Sequence, residues 1–282
     1  MNITLDRQLT LSVFRWFQPA ASQRCVPLLM YHSIAEEEEH ISPYYRLATA
    51  PQRFAEQMQW LKEAGYAGVS LDEALQTLDV LTPKPRQTVG ITFDDGYRNF
   101  YTSAWPILRQ SGFTATMYLP TGFIGSKGKS LLERASLTWP EIRELHYQGI
   151  RFGSHTVSHP MLHDVSTRKL ETELSASKQS IEDELGYEVT GFAYPYAFPQ
   201  EDRAFANLLT DHLRQSGYET CVTTMVGRVH AGDDRLLLKR LPVNSCDDRE
   251  LFLAKLRGCY DWVGCAQGMI RRVKRFVRTG KI

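Results

Sequence analysis

The chain has 282 residues, 43% of them hydrophobic and 23% charged, with a formal net charge of +1. That balance is ordinary for a globular protein with a substantial core, and its near-neutrality argues against a dedicated nucleic-acid binder. Five cysteines, at 25, 221, 246, 259 and 265, form no C-x-x-C pair and no dense cluster, so neither a disulfide framework nor a cysteine zinc site is indicated and a reducing compartment is favoured.

Residues 1–25 are expected to form an N-terminal extension. Its apolar stretch from Leu9 to Phe17 is interrupted by Thr10, Ser12 and Arg15, which makes a poor secretory core and is too short to span a bilayer. Leu9, Val13, Trp16 and Phe17 fall roughly on one helical face, so the segment either packs on the domain as a helix or lies on a membrane surface. The expected location is cytoplasmic, or peripheral on the cytoplasmic membrane face.

An apolar strand from Val26 ends on His32. A loop carrying the acidic run Glu36 to Glu39 leads to a helix over 53–64 and a strand over 66–70. A short helix follows over 71–78, with Asp72 and Glu73 in the first turn complementing its dipole. The stretch Thr88 to Gly96 then reads as a buried parallel strand ending abruptly in Asp94, Asp95 and a glycine. A helix over 97–110, broken or bent at Pro106, leads to a strand over 114–119 and a Gly-rich loop over 121–129 that is a candidate substrate wall. Thr138 and Glu141 form a capping box for the next helix.

A strand over 149–154 delivers His155 and His159. The helix over 167–185 ends at Gly186, and a strand over 191–194 closes on Pro195 and Tyr196. The helix 203–215, strands 219–224 and 236–243 and helix 248–257 finish the alternation, and a basic amphipathic tail over 258–282 is a candidate for lipid contact. Strand and helix alternate throughout with no internal linker, so the expected class is α/β, a parallel barrel or doubly wound sheet in one domain over 26–257.

Strand ends are where α/β folds place their chemistry. Adjacent carboxylates repel unless a cation lies between them. Two histidines four residues apart reach one face of a helical turn, and with one carboxylate they make a three-ligand metal site with open positions.

Together, TFDDG at 92–96, HTVSH at 155–159 and YPY at 194–196 resemble the polysaccharide deacetylases, carbohydrate esterase family 4 or the NodB-homology domain, over about Val26 to Leu256. The resemblance implies a distorted (β/α) barrel of about seven to eight parallel strands. It also implies a metal-dependent hydrolase that removes N-acetyl or a similar acyl group from an amino sugar in a glycan. Asp94 matches the family's general base, and Asp95, His155 and His159 match the ligands of one divalent ion, zinc by default with cobalt, nickel or iron as alternatives. Tyr196, flanked by Pro195 and Tyr194, matches the position whose backbone N–H holds the oxyanion.

Two departures stand out. The family's base-orienting arginine is replaced by Ala193, and Arg240 is the candidate substitute. The family's late general-acid histidine is absent, and His32 resembles its counterpart in the permuted poly-N-acetylglucosamine deacetylase branch. The alternatives are a deacylase of a small or lipid-linked sugar at the cytoplasmic membrane face and a catalytically silent glycan-binding relative.

Overall fold

The computed structural model describes residues 3–14, 24–36, 46–79, 87–125 and 131–269. Eight strands form one parallel sheet: β1 (Leu28–Tyr31), β2 (Ala67–Val69), β3 (Thr88–Phe93), β4 (Thr116–Leu119), β5 (Arg151–Ser154), β6 (Gly191–Ala193), β7 (Thr220–Val226) and β8 (Leu238–Pro242). Strands β3 to β8 lie side by side in chain order. The ring is closed by β1, which pairs with β8 through Leu241 and Leu29 and with β3 through Leu29 and Ile91. Seven strands therefore make the barrel. The eighth, β2, sits outside the ring against the first half of the same β3 edge whose second half carries β4.

The period-2 alternation of the strands decides what faces the inside. In β1, Leu29 and Tyr31 join the large outer core beneath the helices, while Leu28 belongs to the inner cluster and Met30 and His32 line the cavity above it. Likewise Phe192 and Leu241 go outward, and Ala193 and Leu238 inward. The inner cluster also takes Tyr118 and Val222, and Leu71 and Leu75 of the helix Leu71–Asp79. Room for Tyr118 is made by Gly153, where a Cβ would come within 2.5 Å of its ring.

The helices follow the sequence pattern closely. Pro51–Glu63, Leu71–Asp79, Trp139–Tyr147, Thr167–Leu185, Arg203–Gln215 and Arg249–Leu256 occupy the expected stretches, and the Thr138–Glu141 capping box is present. One segment differs. Instead of a helix bent at Pro106, residues Phe100–Ala104 form a π-helical turn and the α-helix proper begins at Trp105, so the proline sits in the first turn, where its missing N–H is not needed.

The N-terminal helix Ile3–Ser12 docks on the domain. Arg7 bonds Asp248 at 2.7 Å and Glu250 at 3.0 Å, and Thr10 accepts from Trp262 Nε1 at 3.1 Å. A role for that helix on a membrane surface is not supported, because these contacts tie it to the protein; Trp16 and Phe17 lie outside the described residues. Part of the expected tail, residues 261–269, is helical and packed, with Val263 buried, while the basic residues beyond 269 lie outside the described residues. Among the described residues, no helix is long and apolar enough to cross a membrane.

Candidate active site

At the C-terminal end of the barrel a cavity of about 360 Å³ is lined by His32, Asp94, Asp95, His155, His159 and Tyr196, among others. These come from the ends of β1, β3, β5 and β6. Asp94 follows the last residue of β3 and Asp95 turns away from it in a left-handed conformation, φ 72°, so the two adjacent carboxylates diverge instead of facing one another.

Asp95 Oδ1 lies 3.4 Å from Nε2 of His155 and 3.4 Å from Nε2 of His159, and the two Nε2 atoms are 3.2 Å apart. The His155 ring is oriented by Nδ1, 2.8 Å from the Ala193 carbonyl. A carbonyl only accepts, so Nδ1 carries the proton and a neutral ring aims the Nε2 lone pair at the other two donors. Three acceptor atoms converging at this spacing, two of them on buried side chains, fit a cation, and the donor set of two imidazoles and one carboxylate is that of a catalytic zinc-type site. His159 Nδ1 is buried and without a partner, which also leaves Nε2 as the coordinating atom. Burial would raise the Asp95 pKa, but the two imidazoles hold it well below the usual carboxylate range. Burial likewise opposes, and contact with Asp95 produces, a raised His155.

The turn joining the histidines is not helical, contrary to the expectation from their four-residue spacing. Thr156 and His159 both take positive φ, 70° and 52°, and Pro160 follows, so the chain folds back tightly instead of winding. A residue not anticipated from the sequence holds this turn. Glu173, fully buried on Thr167–Leu185, accepts from the backbone N–H of Val157 (2.7 Å) and Ser158 (2.8 Å) and from the Ser158 hydroxyl (2.5 Å). Its signal was a carboxylate lying on the buried stripe of Leu170, Leu174 and Ile181, where a charge has no place unless it is bonded.

On the other wall stands Arg240, wholly buried inside the barrel. Its guanidinium grips Asp94 with both nitrogens, Nη1 to Oδ1 at 2.8 Å and Nη2 to Oδ2 at 2.7 Å, and also donates to Thr92 Oγ1 and to the Thr223 carbonyl. Burial would push Asp94 up, and the Arg240 charge and hydrogen bonds bring it below the ordinary value. His32 Nε2 lies 3.9 Å from Asp94 Oδ2, and burial lowers its imidazole despite the pull of Asp95 and Asp94. Ala193 occupies the strand position that resembles the family's arginine, and here it supplies only its carbonyl, to His155.

The YPY segment divides. Tyr196 is half exposed, with φ 58°, and its ring centroid is 4.6 Å from that of His159. Tyr194 is buried against Phe198 and Phe205, its hydroxyl 3.3 Å from His163 Nδ1, and Pro195 is buried beside it. Arg46, Leu131, Leu132 and Asn244 also line the cavity and were not anticipated; they sit on loops whose sequences carry no periodic signal. Leu131 and Leu132 lie just beyond the expected substrate wall, of which residues 126–130 are outside the described residues.

A sequence profile of the family described as polysaccharide deacetylase matches residues 82–220, which contain both the aspartate pair and the histidine turn. These residues belong to the polysaccharide deacetylase family. Among relatives, YxkH of Bacillus subtilis, a protein named as a polysaccharide deacetylase, is 28% identical over 219 residues, covering 78% of this chain and 71% of that one. The Streptococcus pyogenes deacetylase PplD, solved in complex with acetate, superposes with a TM-score of 0.70 at 28% identity, covering 83% of this chain and 99% of PplD. The poly-β-1,6-N-acetyl-D-glucosamine N-deacetylase of Escherichia coli K12 is 30% identical over 138 residues, 45% of this chain but only 20% of that longer protein.

Proposed function

We propose that the protein hydrolyses the N-acetyl group of an amino sugar within a glycan, with a divalent metal held by Asp95, His155 and His159. The observation that carries this reading is the buried Asp94 carboxylate, clamped by Arg240 beside the three converging donor atoms. When bound there, zinc or a similar ion supplies a Lewis acid that acidifies water and polarises the acyl carbonyl.

The protein's own residues do the rest. Asp94 stays ionised because Arg240 lowers its pKa, and a carboxylate with both oxygens gripped on one side keeps lone pairs on the other to take a proton from the attacking water. Arg240 is itself fixed by Thr92 and Thr223, so the carboxylate is oriented before substrate arrives. Tyr196 stands beside His159, where its backbone N–H serves as a donor to the tetrahedral oxyanion. His32, across the cavity, delivers a proton to the departing nitrogen. In the free site burial keeps that ring below the ordinary imidazole value, so His32 starts neutral, takes from neighbouring Asp94 the proton that the water gave up, and passes it to the amine. Water adds to the acyl carbon, the C–N bond breaks, and acetate and a free amine leave.

Support comes from the acetate found with PplD and from the N-deacetylase names of the relatives. The experiment is acetate release from N-acetylglucosamine oligomers by metal-loaded wild type, chelated wild type and Asp94→Asn. Release by the loaded protein alone is expected. Equal release by all three, or by none, would remove the reading.

A further inference from the structure

Arg46 is the one lysine or arginine among the described residues that line the catalytic cavity. A short parallel ladder sets its backbone beside the His32 wall: Ser33 pairs with Ala48, Ile34 with Thr49, and Ser33 N donates to the Leu47 carbonyl at 3.1 Å. Ala50 N is held by Ser245 Oγ at 2.7 Å, which joins this ladder to the loop that follows β8. The side chain of Arg46 thus enters a cavity already braced on both sides.

Among the described residues no carboxylate answers its charge there. The two carboxylates of the cavity are committed elsewhere, Asp94 to Arg240 and Asp95 to the two histidines. Among the described residues Arg46 has one polar partner, Cys246 Sγ at 3.9 Å from Nη1. Burial, against the pull of Arg46, raises that thiol above its ordinary value, so it is neutral at pH 7 and only a weak acceptor. The Nε–H of Arg46 is buried and has no partner among the described residues. A guanidinium partly withdrawn from water and left without an anion is costly, and the fork geometry of arginine matches planar carboxylate or tetrahedral phosphate oxygens. Leu47, Leu131 and Val243 of the same cavity lining are apolar, which favours an ion pair formed within it.

We propose that Arg46 binds an acidic substituent, a carboxylate or phosphate borne by the glycan close to the acylated amino sugar, so that the preferred substrate is an anionic glycan. The inference rests on the deacetylase reading above for the sugar, and on Arg46 alone for the charge. An oligosaccharide entering the cavity brings the anionic oxygens that the described residues do not supply. Neutral homopolymers lack them and leave the guanidinium unpaired.

The test compares a β-linked N-acetylglucosamine tetramer with three matched tetramers that carry carboxyethyl ethers on alternate rings, the methyl esters of those ethers, or phosphate monoesters. Dissociation constants are measured by calorimetry in an Asp94→Asn background, and kcat/KM by acetate release in the active protein. The free carboxylate or the phosphate is expected to be preferred over both the neutral tetramer and the methyl ester by about tenfold or more, the range for a hydrogen-bonded charge. A preference in either acidic arm supports the proposal, and the tighter arm names the group. Arg46→Gln should collapse the ratio to below about twofold, and Arg46→Lys should leave an intermediate value. Retained metal content shows that each variant is folded. Equal affinity across the four ligands in wild type, or a ratio unchanged in Arg46→Gln, overturns the proposal. Acid-selective binding without acetate release would remove the deacetylase reading and leave the role of Arg46 standing; acetate release with no preference would do the reverse.

Discussion

The two walls of the cavity are built in opposite ways. On one, Asp95, His155 and His159 come from short contiguous motifs whose backbone is forced into left-handed turns and pinned by Glu173. On the other, His32, Asp94 and Arg240 stand on β1, β3 and β8, far apart in sequence, and meet only because the barrel closes. The first wall needs only the consecutive strands β3 to β5; the second depends on the whole ring. A defect on the first should show in metal retention, and a defect on the second in turnover or stability with the metal kept.

The sharpest way to break that contrast is His155→Ala/His159→Ala. Metal content should fall from one equivalent to none by elemental analysis, with kcat/KM down by about 10⁴ or more. Metal retained in the double variant would mean the donors are elsewhere. On the opposite wall, His32→Ala should keep its metal yet lose about 10²- to 10⁴-fold in turnover. Wild-type rates from that protein would remove His32 from the mechanism.

Arg240→Met probes the clamp. Removing one partner of a buried ion pair costs about 3–5 kcal/mol, read as a lowered denaturation midpoint. It also has a pH signature. With Arg240 present Asp94 is held below its ordinary value, so its contribution to stability and activity persists above the unfolded carboxylate range and is lost only as pH falls through the lower folded value. Without Arg240, burial is opposed only by the weaker pull of His155 and His32, so the Asp94 pKa rises and the acid limb of kcat/KM should move to higher pH. An unmoved limb would show that Arg240 does not set the state of Asp94.

Glu173→Ala leaves two backbone N–H groups unbonded behind the histidine turn. Metal affinity should weaken about 10- to 100-fold in a competition titration, without the vanishing binding of the double histidine variant. The smallest effect is expected from Arg7→Ala. Its ion pairs with Asp248 and Glu250 are largely solvent-exposed, and stability should change by no more than about 1 kcal/mol.

The same contrast governs what could be read from the sequence. Strand and helix alternation gave the parallel α/β class, because hydrophobic period and caps such as Thr138–Glu141 are local, and the family resemblance alone chose the barrel over the doubly wound sheet. That seven strands close while β2 stays outside was not legible, since both β2 and β4 use one edge of β3 at different heights. Asp94, Asp95, His155 and His159 were singled out by their contiguous motifs, although the turn between the histidines follows φ angles that spacing does not reveal. Arg240 was reachable only as a candidate, by noticing that Ala193 could not orient a carboxylate. Glu173 and Arg46 were missed: one is a single charge on an apolar stripe, the other a loop residue, and tertiary contacts alone give them partners or withhold them.

Because β1 lies between β3 and β8, the first barrel strand to leave the ribosome cannot complete its pairing until the last has emerged. Strands β3 to β8 can assemble in order as they are made, but β1 must wait with one or both edges bare through most of synthesis. Closure is thus a late, long-range event, and the clamp of Arg240 on Asp94 forms only with it. On the proposed reading, a nascent chain that has paired β3 to β5 brings Asp95, His155 and His159 together before Arg240 can orient Asp94, so metal capture during synthesis would precede catalytic competence.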